Sequence, residues 1–218
     1  MKIAVLGTGM VGRAVAVGLA HLGLEVVIGT RDPAASLART GAEDFGTWSA
    51  MNGEIGVAAY AEAARDAVVV INALNGAVSV AGIRSADIAD GTVLLDIANP
   101  LDFSGDLPAL FVGNDDSLGE QLQREFPALR VVKSLNTMTA PAMVDPHLIA
   151  DGDFTTFVSG NDDAAKAQVM SLLGSLGHRD VIDVGDISTA RGTEALMLLW
   201  IRLMGPLGSP YFTWKVAR

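Results

Sequence analysis

Short apolar runs alternate along the first two thirds of the chain with stretches in which apolar residues recur at helical spacing. The runs contain almost only Val, Ile, Leu and Ala, which is typical of parallel strands that helices cover on both faces. Strands are predicted over 3–6, 25–28, 55–58, 67–73 and 92–97. Helices are predicted between them, over 11–22, 33–40, 60–65 and 76–86. This alternation predicts an α/β fold with a doubly wound parallel sheet.

The pattern continues less regularly toward the C-terminus. After a loop over 102–116, we predict helices over 117–126, 162–176 and 188–204 and strands over 130–135, 154–159 and 181–184. The last helix is apolar on nearly every side, so we expect it to be buried in the core or against a second subunit. We therefore predict a main domain over 1–137 and a small C-terminal α/β extension over 138–218, packed on it and ending in a buried helix.

Composition excludes several classes of function. Half of the 218 residues are hydrophobic, which is enough to build a large core. The chain has 25 acidic and 15 basic residues, and a net charge of −10 argues against a nucleic-acid partner. It has no cysteine, so disulfides and thiolate chemistry are excluded, and its three histidines are too far apart in sequence to predict a metal site.

The chain also carries no pattern typical of a membrane protein. No apolar run approaches the ~20 residues of a transmembrane helix. Met1-Lys2 leads directly into an apolar strand, without the features of a cleavable signal peptide. We therefore expect a cytoplasmic protein without a membrane part.

A glycine-rich loop follows the first predicted strand. Its sequence, Gly7-Thr8-Gly9-Met10-Val11-Gly12, fits G-x-G-x-x-G between a strand and a helix. The first glycine permits a tight turn, the second lets the backbone approach a pyrophosphate, and the third allows close packing of helix on strand. Unpaired N–H groups at the helix start then attract phosphates. The alternative, a purely structural turn, is disfavoured by this strand–loop–helix context.

The end of the second strand predicts which dinucleotide binds. NAD sites usually carry an acidic residue about 20 positions after the glycines, where it accepts from the ribose 2′-OH. Here Thr30 and Arg31 occupy that position, and a guanidinium beside a hydroxyl suits a 2′-phosphate. Glu25 lies at the wrong end of the strand, and Asp32-Pro33 is typical of a helix N-cap followed by proline. We therefore predict NADP(H), with a merely solvated Arg31 as the alternative.

Small polar residues follow three further strands, at the edge of the sheet where ligands bind in such folds. They suit ribose hydroxyls and the nicotinamide carboxamide, although Asn and Pro are also common in ordinary turns. The candidate residues are Ala73, Leu74, Asn75, Asn99, Pro100 and Asn136. Together with the glycine loop, Thr30 and Arg31, they form the predicted cofactor site.

No catalytic acid or base is evident in the sequence. Tyr211 and Lys215 have the Y-x-x-x-K spacing of short-chain dehydrogenases, but they lie at the very end of the chain, and we reject the match. His21, His147 and His178 are interpreted as structural or solvated. A site without a general acid is compatible with a hydride that passes directly between two stacked planar rings.

Arg191 is an isolated cation in the C-terminal extension. It would either hold an anionic tail of the hydride acceptor or pair with Glu194. The pair is the favoured interpretation, because residues three positions apart meet on a helix.

Several segments, in order and over almost the whole chain, resemble the NADP-dependent coenzyme F-420 oxidoreductase family (the coenzyme is written F420 below). Beyond the glycine loop, these segments are 29–32, 96–101, 132–137, 157–163 and 188–194. The N-terminal domains of some membrane ferric reductases look similar too. The resemblance implies a Rossmann fold with a small C-terminal portion, usually in a homodimer.

The resemblance also implies roles for individual residues. NADPH and the deazaflavin of F420 would stack for reversible hydride transfer between the nicotinamide C4 and the deazaflavin C5. The pyrophosphate would be cradled by Thr8, Gly9, Met10 and Val11, and the 2′-phosphate would be held by Thr30 and Arg31. The nicotinamide would be bordered by Asn75, Pro100 and Asn136. We expect Leu135, Met138 and the last helix to wall the acceptor site and keep it dry.

Three functions are compatible with these features. The first is an NADP(H)-dependent oxidoreductase that transfers a hydride between NADPH and F420 or a related planar redox acceptor. The second is an NADPH-dependent reductase of a flavin, quinone, ferric chelate or small carbonyl compound, and the third is a non-catalytic NADP(H) sensor. We favour the first, in a homodimer formed partly through residues 188–204.

Overall fold

One eight-stranded sheet runs through the computed structural model, which describes residues 1–218. The strands along the chain are β1 (Lys2–Leu6), β2 (Glu25–Thr30), β3 (Gly56–Ala59), β4 (Val69–Asn72), β5 (Val93–Asp96), β6 (Leu101–Asp102), β7 (Ala109–Leu110), β8 (Arg130–Ser134), β9 (Thr155–Gly160) and β10 (Asp180–Gly185). The order in the sheet is β10-β9-β8-β5-β4-β1-β2-β3, while β6 and β7 form a separate two-stranded ribbon. Every pair in the main sheet is parallel except β8–β9.

Helices cover both faces of this sheet. They are α1 (Met10–His21), α2 (Pro33–Leu37), α3 (Phe45–Met51), α4 (Tyr60–Ala64), α5 (Gly76–Ala86), α6 (Leu118–Glu125), α7 (Ala140–Val144), α8 (Asp163–Ser175) and α9 (Ala190–Leu207). Alternate residues of β1 point to opposite faces, so Ile3 and Val5 lie in one core and Ala4 and Leu6 in the other. The first core includes α1, α7 and α8, and the second includes α4, α5 and α6. The predicted doubly wound α/β fold is confirmed.

Sequence periodicity misses α3, α7 and the β6–β7 ribbon. Helix α3 has seven residues, and its buried Phe45 belongs to the first core and stacks on Trp48 with ring centroids 5.4 Å apart. The side chain of Asp44 accepts from the N–H of Gly41 and closes the turn before this helix. Helix α7 and the β6–β7 ribbon are likewise too short to show a period in the sequence.

The C-terminal third continues the sheet. Strand β9 pairs with β8, and β10 pairs with β9, so backbone hydrogen bonds join residues on both sides of position 137. The division of the chain into a main domain and an extension at that position stays a prediction.

Within one copy of the chain, helix α9 is buried on one side only, and burial of the other side against a second subunit stays a prediction. It packs mainly on α6 and the β7 ribbon. The buried side holds Ala190, Thr193, Glu194, Met197 and Trp200. On the other side Leu199 is 50% exposed. No helix in the structure, α9 included, combines the length and the apolar content needed to cross a bilayer.

Candidate functional site

The glycine loop between β1 and α1 has the close packing that its sequence predicts. Gly7 has a φ of +129°, and a Cβ atom there would lie 2.5 Å from the carbonyl oxygen of Ala73. A Cβ atom on Gly12 would collide with the carbonyl group of Gly7. Around Gly9, by contrast, the space within 4 Å is open, and no side chain caps the start of α1. The loop therefore presents free backbone N–H groups to a ligand.

A polar cavity of about 580 Å³ opens beside this loop. It lies between the loop, the end of β2, helix α2 and the segment 73–75, and Tyr60 closes one side. Two cations, Arg31 and Arg39, line it. Asp32 lines the cavity too, but its Oδ1 caps α2 by accepting from the N–H of Ala35 at 2.9 Å, as the sequence predicted, so two arginines outnumber one carboxylate that already has a partner. The cavity is therefore suited to an anion rather than to a ribose 2′-OH.

The polar cavity contains two functional candidates that the sequence analysis missed. Arg39 lies just beyond the end of α2 and donates to the hydroxyl of Thr8 at 3.4 Å, which connects it to the glycine loop. Ser36 shares a hydrogen bond of 2.8 Å with the buried hydroxyl of Thr30. A basic residue eight positions after Arg31, at the end of a predicted helix, was the one available signal for Arg39.

Tyr60 lies on the wall of the polar cavity near Arg31. Burial raises the pKa of the Tyr60 hydroxyl, and the positive charge of Arg31 opposes this only in part. The phenol therefore stays neutral at physiological pH, and its ring can pack against an aromatic base.

An apolar cavity of about 310 Å³ adjoins the polar one along the same edge of the sheet. The two cavities share Ala73, Leu74 and Asn75 as lining residues. The apolar cavity is built from the ends of β4, β5 and β8 together with α1, α7 and α9. Met138, Met143, Met197 and Trp200 contribute its apolar walls, and no ionisable side chain lines it.

Two of the three asparagines that line the apolar cavity bond each other. Asn99 donates from its side chain to the carbonyl oxygen of Asn136, and Asn136 donates back to Asn99 Oδ1, both at 2.9 Å. Asn136 also donates to the carbonyl of Thr193 on α9 at 3.1 Å. Both N–H groups of the Asn136 amide are thus engaged, while its Oδ1 accepts from no protein group. That oxygen is available to accept a hydrogen bond from a ligand amide.

The structure brings nearly all of the predicted site residues to the two cavities. The polar cavity is lined by Gly7, Thr8, Gly9, Thr30, Arg31, Ala73, Leu74 and Asn75. The apolar cavity is lined by Met10, Val11, Ala73, Leu74, Asn75, Asn99, Asn136 and Met138. Leu135, which we expected to wall the acceptor site, lines neither cavity, because its side chain packs into the first core instead. The side-chain oxygen of Asn75 caps α5, which leaves only its amide N–H groups for a ligand.

Gly12 and Pro100 line neither cavity. Gly12 is buried under the loop, where it permits the close approach of α1 to Gly7. Pro100 is buried, and its carbonyl accepts from the N–H of Phe111 at 2.9 Å. Both residues shape the cavity walls from behind instead of facing a ligand.

The favoured pairing of Arg191 with Glu194 is wrong. Arg191 binds Glu120 instead, through two hydrogen bonds of 2.6 and 2.8 Å. The carboxylate of Glu194 is turned inward to buried Lys133 and to the N–H groups of Leu118 and Gly119 at the start of α6. A helix N-terminus and a buried cation together bind this carboxylate more strongly than an exposed partner one turn away.

The parallel sheet, the glycine loop and the paired cavities at one edge define a dinucleotide-binding protein with a Rossmann fold. A model of the family described as NADP oxidoreductase, coenzyme F420-dependent, matches residues 2–100. A crystal structure of a protein from Arthrobacter sp. FB24, provisionally assigned as an F420-dependent NADP reductase, is 56% identical, covers 100% of both chains and has a TM-score of 0.98. The chain belongs to this family and is an NADP-dependent oxidoreductase.

Two curated relatives extend the comparison. The F420-dependent NADP reductase of Methanocaldococcus jannaschii is 29% identical, and the match covers 93% of this chain and 92% of that protein. The metalloreductase STEAP3 of Rattus norvegicus is 28% identical over 90% of this chain. The chain spans only 36% of the length of STEAP3.

Replacement of Arg31 tests the polar cavity. We expect Arg31→Ala to weaken NADPH binding at least about tenfold, or about 1.4 kcal/mol, because a charge-assisted contact to the 2′-phosphate is lost. NADH lacks that phosphate, so its affinity should be almost unchanged. Arg39→Ala should give a loss in the same direction. Isothermal titration calorimetry with both nucleotides measures the effect.

Arg65→Ala is the matched control, because Arg65 is exposed and lines neither cavity. Its affinity for both nucleotides should equal that of the unmodified protein. Equal losses for NADPH and NADH in Arg31→Ala would remove Arg31 from the predicted role.

Proposed function

We propose that this oxidoreductase binds NADPH across both cavities and transfers a hydride between its nicotinamide and F420 or a related planar redox acceptor. One observation carries the proposal: two cavities of opposite character adjoin through Ala73–Asn75 at the carboxyl edge of the sheet. A dinucleotide has the same division, with charged phosphates at one end and a flat, uncharged reduced ring at the other.

The polar cavity suits the phosphorylated end of NADPH. The free N–H groups of the glycine loop would receive the pyrophosphate, with Thr8 through Val11 along its path. Arg31 and Arg39 would hold the 2′-phosphate, with the hydroxyls of Thr30 and Ser36 beside them. In a chain with a net charge of −10, this pair of unpaired cations in one cavity is the electrostatic feature that favours NADPH over NADH.

The apolar cavity suits the ring end. NADPH supplies a hydride from its nicotinamide C4, and the deazaflavin C5 of F420 accepts it. Asn136 Oδ1 would accept from the nicotinamide carboxamide and so fix the ring's orientation. The methionines and Trp200 exclude water, which protects the hydride from side reactions. Because no ionisable side chain lines this cavity, the proposed mechanism assigns no acid or base and depends on approach and alignment.

Two relatives support different acceptors. The reductase of Methanocaldococcus jannaschii, which is similar over nearly its whole length, favours F420. The likeness to a metalloreductase favours the second candidate, an NADPH-dependent reductase of a flavin, quinone, ferric chelate or small carbonyl compound, and among these the ferric chelate. Membership in a family of oxidoreductases favours either enzyme over a nucleotide sensor.

We also propose that the chain forms a homodimer through the outer side of α9. Leu199 is exposed there, on a helix whose sequence is apolar on nearly every side. Burial of this side against the same side of a second copy would remove Leu199 from water.

An acceptor panel tests the proposed reaction. With purified protein and NADPH, we expect a fall in NADPH absorbance with F420 and a higher kcat/KM for F420 than for riboflavin, a quinone or ferric citrate. Arg65→Ala serves again as a control and should match the unmodified protein. NADPH oxidation with flavins but not with F420 would reject F420 in favour of the second candidate.

Light scattering tests the proposed dimer. The unmodified protein should have the mass of two chains, and Leu199→Glu should shift it to one, because a charge cannot be buried at an apolar interface without a partner. Val78→Glu is the control, since Val78 is an exposed apolar residue outside α9. A monomeric unmodified protein would contradict the proposal.

A further inference from the structure

A buried cluster of charges lies behind the apolar cavity without lining it. Lys133, near the end of β8, is 1% exposed. Its ammonium group donates to Asp96 Oδ2 at 2.8 Å, to Glu194 Oε1 at 2.9 Å and to the carbonyl oxygen of Ala98. The proposed hydride transfer uses none of these charged side chains.

The cluster is fully hydrogen-bonded. The other oxygen of Asp96 accepts from the side chain of Asn72 at 2.8 Å, and Glu194 accepts from two N–H groups at the start of α6. Burial by itself would lower the pKa of the Lys133 ammonium, but the two carboxylates outweigh it and raise that pKa above its usual value. Lys133 is therefore charged whenever the protein is folded near neutral pH.

Stability alone gives a weak reason for such a cluster. Removing charges from water is costly, and apolar residues of similar volume often stabilise a core equally well. Apolar packing is non-directional, so it fixes the relative positions of neighbouring segments only loosely. Charge-assisted hydrogen bonds are directional and fix the positions of the atoms that they join.

The cluster joins three of the parts of the chain that wall the apolar cavity. Ala98 and Asn99 follow β5, Asn136 follows β8, and Met197 belongs to α9. Lys133 contacts the first part through Asp96 and Ala98 and the third through Glu194, and it belongs to the second itself. Glu194 is only three residues from Met197, so the ion pair fixes the part of α9 that faces the cavity.

The backbone between Lys133 and Asn136 shows that this edge is held in place. Leu135 is buried and has a φ of +61°, in the left-handed region that side chains other than glycine rarely adopt. Such a conformation persists only where the surrounding contacts enforce it. Here the fixed points are the ion pairs of Lys133 on one side and the hydrogen bonds of Asn136 to Asn99 and Thr193 on the other.

We propose that Lys133, with Asp96 and Glu194, is a positioning residue for hydride transfer, because it fixes the distance between the strand-end walls and the α9 wall of the apolar cavity. The inference rests on the proposed function in that it takes this cavity as the place of the nicotinamide and its acceptor. Loss of Lys133 should therefore affect the rate of hydride transfer but not the affinity for NADPH, since no member of the cluster lines the polar cavity.

Lys133→Met, compared with Lys166→Met, tests the proposal. Lys166 is a matched control, because it is also buried and paired with two carboxylates, Asp163 at 3.1 Å and Asp183 at 2.8 Å, but lines neither cavity. In Lys133→Met, the Kd for NADPH should stay within about threefold, since the polar cavity is intact. The single-turnover rate of NADPH oxidation should fall at least about tenfold, because a misplacement of about 1 Å costs up to about 100-fold.

A second readout separates positioning from loss of stability. With NADPH deuterated at C4, the kinetic isotope effect on kcat should rise in Lys133→Met, because the hydride step becomes rate-limiting. Lys166→Met should lower the melting temperature without changing the rate or the isotope effect. An unchanged rate in folded Lys133→Met, or an equal loss in Lys166→Met, would overturn the proposal.

Two further measurements keep the test decisive. If Lys133→Met does not fold, Glu194→Gln removes one charge but keeps an oxygen for the N–H groups of α6. This variant should likewise keep the Kd for NADPH and lose single-turnover rate.

If the unmodified protein turns over no acceptor, the proposed function fails, but the fluorescence of bound NADPH still reports on the surroundings of the nicotinamide ring. Loss of the nicotinamide emission enhancement in the Lys133 or Glu194 variant, but not in Lys166→Met, would support the positioning role, and equal emission would reject it.

Discussion

Parallel pairing of β8, β5, β4, β1 and β2 is the constraint on which the rest of this molecule depends. Because these strands run in one direction, their carboxyl ends meet along one edge, and every segment that lines the two cavities from the sheet begins there. Gly7 and Gly12 let α1 start close against that edge, so backbone N–H groups face the same space as the strand-end asparagines. Along this edge the lining side chains change from arginines to asparagines and then to methionines, and this succession follows the order of the strands in the sheet.

In the proposed function, the polar cavity recognises the phosphates of NADPH and the apolar cavity holds the reacting rings. Arg31 and Arg39 are cations without a carboxylate partner in a strongly acidic chain, so the polar cavity attracts anions that the rest of the surface repels. The apolar cavity holds no ionisable side chain, yet two buried carboxylates and Lys133 lie directly behind its walls. Charged groups thus lie at both ends of the site. Two arginines line the polar cavity, where we propose that they bind the ligand, and the Lys133 cluster lies behind the apolar cavity, where we propose that it positions the walls.

Much of this arrangement could be predicted from sequence because its signals are local. The strand–glycine–helix motif, Thr30 and Arg31 at a strand end, and the capping role of Asp32 each depend on a few neighbouring residues. Gly7, Thr30 and Arg31 line one cavity, and Asp32 caps α2. The cluster of Lys133, Asp96 and Glu194 joins residues up to 98 positions apart and has no local pattern. Arg191 shows the same limit, since helical spacing favoured Glu194 while the fold offered it Glu120. Ser36 and Arg39 were missed because their importance depends on how α2 turns back toward the loop.

A crystal structure of the protein with NADPH bound tests the central claim most directly. The account predicts that one nucleotide spans both cavities, with its 2′-phosphate between Arg31 and Arg39 and its carboxamide within hydrogen-bonding distance of Asn136 Oδ1. A nicotinamide ring outside the apolar cavity, or a 2′-phosphate that neither arginine contacts, would contradict it.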